Sequence, residues 1–230
     1  MKPFSISEVY KDKYGFNTVD INPLPENYCS FDCVFCPLGR TAVKTDERFI
    51  FEETKDFIKR LSEFLELNDI QVIFLNPDGE AMANKELIDV IKLIKSRGKK
   101  VRILTNGYLL NKLENKEVLE LCDEVIGELF AASEEDFQKI NRPLKGYTLE
   151  EHVNNMTEFK RWFNGKFILD ITLIKNYSDS DEAVAKLRDM INEIKPDEVN
   201  VETPNKNRFK GTFTVDEEKF LQIMSKLLQK

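Results

Sequence analysis

Residues 27–37 read Asn27-Tyr28-Cys29-Ser30-Phe31-Asp32-Cys33-Val34-Phe35-Cys36-Pro37, and they hold three of the chain's four cysteines in the spacing C-x3-C-x2-C. The segment follows directly on an aromatic and β-branched run, Phe16 to Ile21, so its thiols belong on a loop at the end of a first strand. The sequence shows no secretion signal, so cysteines clustered this closely point to metal or redox chemistry rather than to a disulfide framework.

Working outward from this loop, short strand-like runs alternate with amphipathic segments. The remaining strands are predicted at Gln71 to Leu75, Lys100 to Leu104, Glu124 to Phe130, Lys166 to Leu173 and Glu198 to Val201. Between them, Phe57, Ile58, Leu61, Phe64 and Leu65 recur at helical spacing, as do Leu87, Ile88, Ile91 and Ile94, and Val184, Leu187, Met190, Ile191 and Ile194. Asn84 and Thr148 stand where N-caps belong, and Thr214 with Glu217 has the pattern of a capping box before a last helix. Sixfold alternation implies an α/β fold with a parallel sheet, either open and doubly wound or curled into a partial barrel. In both, ligands gather at the C-terminal ends of the strands. The 230 residues, 41% of them hydrophobic, read as one domain spanning 1–230, soluble and cytoplasmic, with no apolar run of membrane-spanning length.

An iron-sulfur cubane ordinarily takes four thiolates, so a loop with three leaves one iron open to a ligand. A structural zinc site would need a fourth protein ligand. The only candidates are Cys122, which reads as a small hydrophobe on the inner face of a helix, and His152, which reads as a surface residue in a first helical turn. An electron-transfer or sensor protein without catalysis is the alternative from another class, but it is better served by four thiolates than by three.

At these residues the chain resembles the radical S-adenosylmethionine (SAM) superfamily, whose motif is C-x3-C-x2-C with an aromatic residue, here Phe35, before the last cysteine. The resemblance implies a partial (β/α)6 TIM-like barrel with a C-terminal helix. It also implies a 4Fe-4S cluster on Cys29, Cys33 and Cys36, and SAM chelated at the open iron. An electron, supplied by a reductant such as flavodoxin or ferredoxin, then cleaves SAM to methionine and a 5'-deoxyadenosyl radical that abstracts hydrogen from substrate. Asn76-Pro77-Asp78-Gly79-Glu80-Ala81 is similar to the superfamily's Gly-Gly-Glu-Pro motif for the methionine amino group, with Asp78, Gly79 and Glu80 as candidates. A strand-to-helix turn explains the same residues. Thr105 and Asn106, in Leu104 to Leu110, are candidates for the ribose of SAM or for ordering their own turn.

A closer resemblance is to the iron-sulfur oxidoreductases that include the wyosine-forming tRNA enzymes (4-demethylwyosine synthases). It rests on Cys36 to Thr41, Leu104 to Leu110, Lys139-Ile140-Asn141-Arg142-Pro143 and Pro196 to Pro204. Two departures stand out. No cysteine precedes Cys29, so the second cluster of those enzymes has no ligands here, and Glu128-Leu129-Phe130 replaces a Ser-Leu-Asp strand end.

Strand ends nominate Glu128 and Lys175 beside the cofactor and Asn176 and Glu202 beside the substrate. Lys206, Arg208 and Lys210 form a basic lip suited to an anionic group, although such a run is also the ordinary composition of a solvated loop. The formal charge of -7 disfavours tRNA or any partner held through phosphates. A small-molecule or peptide substrate is therefore expected, with a glycyl-radical-enzyme partner as the alternative within the class.

Overall fold

All but the last of the β-branched and aromatic runs predicted as strands are buried on both sides for much of their length, as a parallel sheet covered by helices requires, and the computed structural model, which describes residues 3–205 and 207–228, joins all six in one sheet. In chain order the strands are β1 (Ser5–Ile6), β2 (Tyr10–Lys11), β3 (Asn17–Asn22), β4 (Tyr28–Cys29), β5 (Val43–Lys44), β6 (Val72–Leu75), β7 (Lys100–Thr105), β8 (Glu124–Leu129), β9 (Lys166–Thr172) and β10 (Glu198–Glu202). The helices are α1 (Glu53–Leu67), α2 (Leu87–Ser96), α3 (Lys116–Glu120), α4 (Glu134–Asp136), α5 (Leu149–Trp162), α6 (Asp181–Ile194) and α7 (Glu217–Leu228).

The sheet runs β3-β6-β7-β8-β9-β10 with every neighbour parallel. Leu75 pairs with Ile103, Thr105 with Gly127, and Leu129 with Ile171, so the strand ends finish side by side. The result is the partial TIM-like barrel rather than the flat doubly wound sheet. Two short strands invisible to sequence patterning, β1 and β2, lie antiparallel on β3. The turn after β2 reaches over to β10, where Lys13 donates to Glu198 at 2.5 Å and to Asn200 at 2.9 Å, and the Tyr14 hydroxyl donates to Glu198 at 2.8 Å. Side chains therefore clasp the seam between β3 and β10, two strands that do not pair with each other.

The helices cover the outer face. α1 buries Phe57, Leu61 and Leu65 of its predicted stripe together with Thr54, and α2 buries Leu87, Ile91 and Ile94 together with Val90, while Ile58, Phe64 and Ile88 are only partly buried. Sequestering a side chain such as Phe57 or Leu61 contributes roughly 2 kcal/mol. Thr148 caps α5 by accepting the Glu151 amide at 3.1 Å. Asn84 instead caps the turn ahead of α2, accepting the Glu86 amide at 2.9 Å. Thr214 forms no capping box: α7 starts only at Glu217, and the Thr214 hydroxyl donates to the carbonyls of Pro204 and Phe209.

Inside the curve, alternate residues point to the lumen and divide it in two. Phe74, Arg102, Ile126, Ile168 and Asn200 line a cavity of about 270 Å³ at the N-terminal end of the strands. Asn76, Leu104, Glu128, Thr172 and Glu202 line one of about 630 Å³ at the C-terminal end. Among the described residues no helix is long and apolar enough to cross a membrane.

Candidate functional site

The larger cavity is where the cysteine loop comes to rest. Cys29, Cys33 and Cys36 all line it, together with Phe31, Phe35, Thr105, Asn106, Glu128 and Phe130. Cys29 ends β4, which pairs with β5. The loop then folds through two consecutive turns, Cys36 N to Cys33 O and Gly39 N to Cys36 O, both at 3.1 Å. Asp32 closes it by accepting the Thr41 amide at 3.0 Å, while the Thr41 hydroxyl donates to the Phe31 carbonyl at 2.6 Å.

The loop is also docked from outside. A five-residue π-helix, Phe137–Asn141, continues α4. The carbonyls of Ile140 and Asn141 at its end accept the amides of Val34 (2.9 Å) and Asp32 (3.0 Å), and the Leu144 amide donates to Ser30 at 3.0 Å. The segment Lys139–Pro143, singled out in the sequence, is thus the seat of the cysteine loop.

N–H groups point at the sulfurs. Cys29 Sγ accepts from the Phe31 amide at 3.4 Å and from Asn106 Nδ2 at 3.7 Å, and Cys33 Sγ accepts from Asn141 Nδ2 at 3.5 Å. Burial pushes the Cys29 thiol up to about 12, with Glu80 adding to it and the two hydrogen bonds opposing. Burial likewise raises Cys33 and Cys36. Thiols in such a place need a cation before they ionise. Among the described residues no three His, Cys, Asp or Glu side chains meet as a single-ion site. Three thiols that line one cavity match a cubane whose thiolates each bind a separate iron, whereas a structural zinc site asks for four protein ligands. The donor set therefore fits an iron-sulfur cluster with one iron free of protein.

The two other motifs brace the loop. Gly79 bridges Tyr28 with φ +129°, and any Cβ there would stand 2.2 Å from the Tyr28 carbonyl oxygen. The next amide, Glu80 N, donates to that carbonyl at 2.6 Å. Glu80 is buried and receives the Thr105 hydroxyl at 2.8 Å, the Asn106 amide at 3.1 Å and the Met82 amide at 3.4 Å. Its carboxylate links the second and third strand ends and does not line the cavity. Asp78 also turns away, exchanging hydrogen bonds with Asn22 at 3.0 and 2.9 Å. The Asn106 side chain, a candidate for the ribose or for ordering its own turn, accepts the Tyr108 amide at 3.0 Å and donates to Ser30 Oγ at 3.0 Å. Asn106 therefore orders the cysteine loop as well as facing the cavity, and Thr105 faces the cavity with its hydroxyl held by Glu80.

His152 is not a surface residue. It is 1% exposed, its Nε2 donates to the Asn106 carbonyl at 2.8 Å, and Phe31, Tyr108 and Phe137 surround the ring. Gly107 makes this reach feasible, since a Cβ there would sit 3.0 Å from His152 Nε2. Burial holds the imidazole down to about 4, hence neutral. Cys122 is buried, with its Sγ near the Val118 carbonyl at 3.4 Å, as a core residue should be.

The far wall is acidic. Glu128 lines the cavity, its carboxyl held well above the ordinary range by burial and then by Asp170, Glu202 and Glu80. Asp170 is Glu128's neighbour across β9 and accepts from Asn200 at 2.7 Å, and Glu202 accepts from Thr172 at 3.2 Å. Phe35 packs on Phe130 with centroids 4.9 Å apart. The remaining nominees stand elsewhere. Lys175 pairs with Asp216 at 3.1 Å, and exposed Asn176 turns the chain with φ 68°. Arg208 donates to the Cys36 carbonyl, Lys210 is exposed, and Lys206 lies outside the described residues. Of the predicted basic lip, Arg208 and Lys210 are described, and neither lines the cavity.

Against known proteins, residues 25–188 match the family model described as the Radical SAM superfamily. The GTPase Obg of Brachyspira hyodysenteriae is 33% identical over 189 residues, 81% of this chain and 28% of that protein. The UPF0026 protein slr1464 of Synechocystis is 30% identical over 196 residues, 84% of this chain and 72% of that protein. The chain thus spans little more than a quarter of the first relative and most of the second. Among solved structures, TYW1 with a lysine-pyruvate adduct bound superposes with a TM-score of 0.70 at 16% identity, over 96% of this chain and 77% of that one.

Proposed function

This chain belongs to the radical SAM superfamily and is a relative of UPF0026 proteins, and from that premise we propose that Cys29, Cys33 and Cys36 hold a 4Fe-4S cluster that cleaves SAM in the larger lumen cavity. Enzymes of this superfamily use a 4Fe-4S cluster and SAM, and this chain is an enzyme of that kind. The observation that carries the reading is the convergence of three thiols from one loop on the cavity into which β7, β8 and β10 also deliver Thr105, Asn106, Glu128 and Glu202.

When bound, the cluster supplies the electron that splits SAM into methionine and a 5'-deoxyadenosyl radical. The chain supplies position. The amide groups of Phe31, Asn106 and Asn141 orient the thiolates they touch. Phe35 and Phe130 wall the cavity with carbon and keep water from its floor. Glu128 and Glu202, with Asp170 behind them, give a carboxyl wall whose crowding and burial favour the neutral form of Glu128 until a cation arrives, so a bound sulfonium or amino group and a cationic or neutral substrate are favoured there. A small molecule or peptide suits that wall better than the phosphates of an RNA.

Anaerobic reconstitution tests the reading. One cluster of about four irons per chain is expected, with methionine and 5'-deoxyadenosine released on addition of SAM and dithionite. Binding of one zinc in place of iron, or an iron-loaded protein inert toward SAM, would overturn it.

A further inference from the structure

His152 is the single histidine of the chain, and it is buried. Its Nε2 stands 2.8 Å from the Asn106 carbonyl oxygen, which can only accept, so Nε2 carries the proton. Its Nδ1 is buried with no partner among the described residues. An orphaned buried nitrogen costs free energy, and a leucine or phenylalanine would fill much the same space without one. Packing alone therefore does not account for an imidazole at this position, whereas the donor at Nε2 does.

The peptide held by this donor is one that could otherwise turn over. Gly107 follows Asn106 with φ +86°, and a glycine restrains the peptide plane before it less than any other residue. A Cβ on Gly107 would stand 3.0 Å from His152 Nε2, so the residue that admits the imidazole is also the one that loosens the backbone. Asn106 is clamped at both ends of its main chain: Glu80 accepts its amide at 3.1 Å, and His152 donates to its carbonyl. Between these clamps, Asn106 Nδ2 donates to Ser30 Oγ at 3.0 Å and to Cys29 Sγ at 3.7 Å. The bond to sulfur is the longest of the set and the first to go if the backbone turns.

We propose that His152 is a positioning residue for the cluster: its hold on the Asn106 carbonyl keeps the Asn106 amide on the Cys29 sulfur and thereby raises the reduction potential. The inference rests on the cluster assignment above. An electron added to the cluster, by dithionite in vitro, leaves more negative charge on the thiolate sulfurs, and an N–H group aimed at one of them favours the reduced state. No bond forms or breaks in that step.

The test has one arm on cluster-free protein and one on reconstituted holoprotein. In the first, nitrogen NMR of the single histidine should show a neutral ring with its proton on Nε2. The ring should not titrate between about pH 5 and 8, since burial holds the imidazole down to about 4. A proton on Nδ1, or a ring that titrates near its ordinary 6.5, overturns the clamp and leaves the cluster assignment untouched.

In the second arm, reduction potentials of the parent, His152→Gln and His152→Met are read by redox titration followed by electron paramagnetic resonance. Gln and Met have similar reach and differ in the donor. At a fixed poise the ratio of reduced to oxidised cluster should be about threefold lower in the Met variant, a shift of about 30 mV for one electron. The Gln variant should stay near the parent. Equal potentials in all three, or an equal fall in Gln and Met, overturn the inference. Should the Met variant hold no iron, His152→Leu carries the comparison; loss of iron from both, with the Gln variant replete, makes the imidazole a folding contact and overturns its role in the potential. A parent that binds no iron overturns the cluster assignment and the potential with it, while the NMR arm still reads the clamp.

Discussion

Gly79 and the carbonyl of Tyr28 are so close that no side chain fits between them: a Cβ on Gly79 would stand 2.2 Å from that oxygen. The backbone of the second strand end is thereby laid on the strand that carries Cys29. Gly79→Ala should destabilise the protein by about 3 kcal/mol or more, combining a backbone clash with a disfavoured φ. Gly15 has a φ of +83° but open space around it, so Gly15→Ala should cost only about 1 kcal/mol. Denaturant midpoints of the two variants separate clash from strain, and equal losses would show that the close approach to Tyr28 carries no energy.

Removing any one of Cys29, Cys33 or Cys36 should abolish the brown chromophore and the bound iron. Cys122→Ala should keep both and cost about 1 kcal/mol of packing. Iron, sulfide and thermal-unfolding measurements on the four variants check this, and iron loss in Cys122→Ala alone would contradict its role as a core residue.

Glu80 ties Thr105 and Asn106 together beneath the cysteine loop. Glu80→Ala leaves buried donors without an acceptor, so the cluster-free protein should lose about 2–4 kcal/mol. Because Asn106 braces Ser30, iron retention should fall along with SAM affinity. Asn106→Ala should show the weaker form of the same pair of defects. A Glu80→Ala protein with parental stability and only its SAM affinity reduced would make Glu80 a ligand contact rather than a brace.

Acid should weaken the seam of the barrel. Burial pushes the Glu198 carboxyl up, but hydrogen bonds from Lys13, Lys166 and Tyr14 outweigh it and hold the group down to about 2, below its ordinary 4.5. A carboxylate depressed on folding stabilises the protein above the unfolded value, and that contribution fades as pH falls from 4.5 toward 2. Glu198→Gln should lower stability at neutral pH and flatten the stability profile across that window. Parallel profiles for the two proteins would show that the clasp contributes nothing.

The helices were legible because each buries one face, which writes a period into the sequence, and the six main strands because they are short β-branched and aromatic runs between the helices. β1 and β2 were not, since two residues cannot display a period and their partner β3 is recognised only in space. The spacing of the three cysteines marked them for metal or redox chemistry and the resemblance for a cluster, whereas the groups that touch their sulfurs were not legible. Asn141 stands over Cys33 because of the π-helix, and His152 reaches Asn106 because Gly107 has no side chain; both depend on contacts between distant segments. Lys175 and Asn176 were misplaced because the chain leaves the sheet directly after β9: Leu173 bonds to Glu202 and Lys175 to Phe213, which carries their side chains off the cavity. Asp170 was overlooked because a lone carboxylate amid apolar strand residues shows its neighbours only when β8 and β10 are laid beside it.

The seat of the cysteine loop also sets an order of events in the life of the chain. Asn141 stands 108 residues after Cys33, so a ribosome releases the cysteines long before it makes the π-helix that receives them. Until then the thiols form a loose peptide without the amide of Asn141 or the carbonyls of Ile140 and Asn141 to shape it. Non-local closure of this kind comes late in folding. The apoprotein must therefore be assembled past its midpoint before metal can find a formed cradle, which makes cluster insertion a maturation step that follows synthesis of the loop's partner rather than of the loop itself.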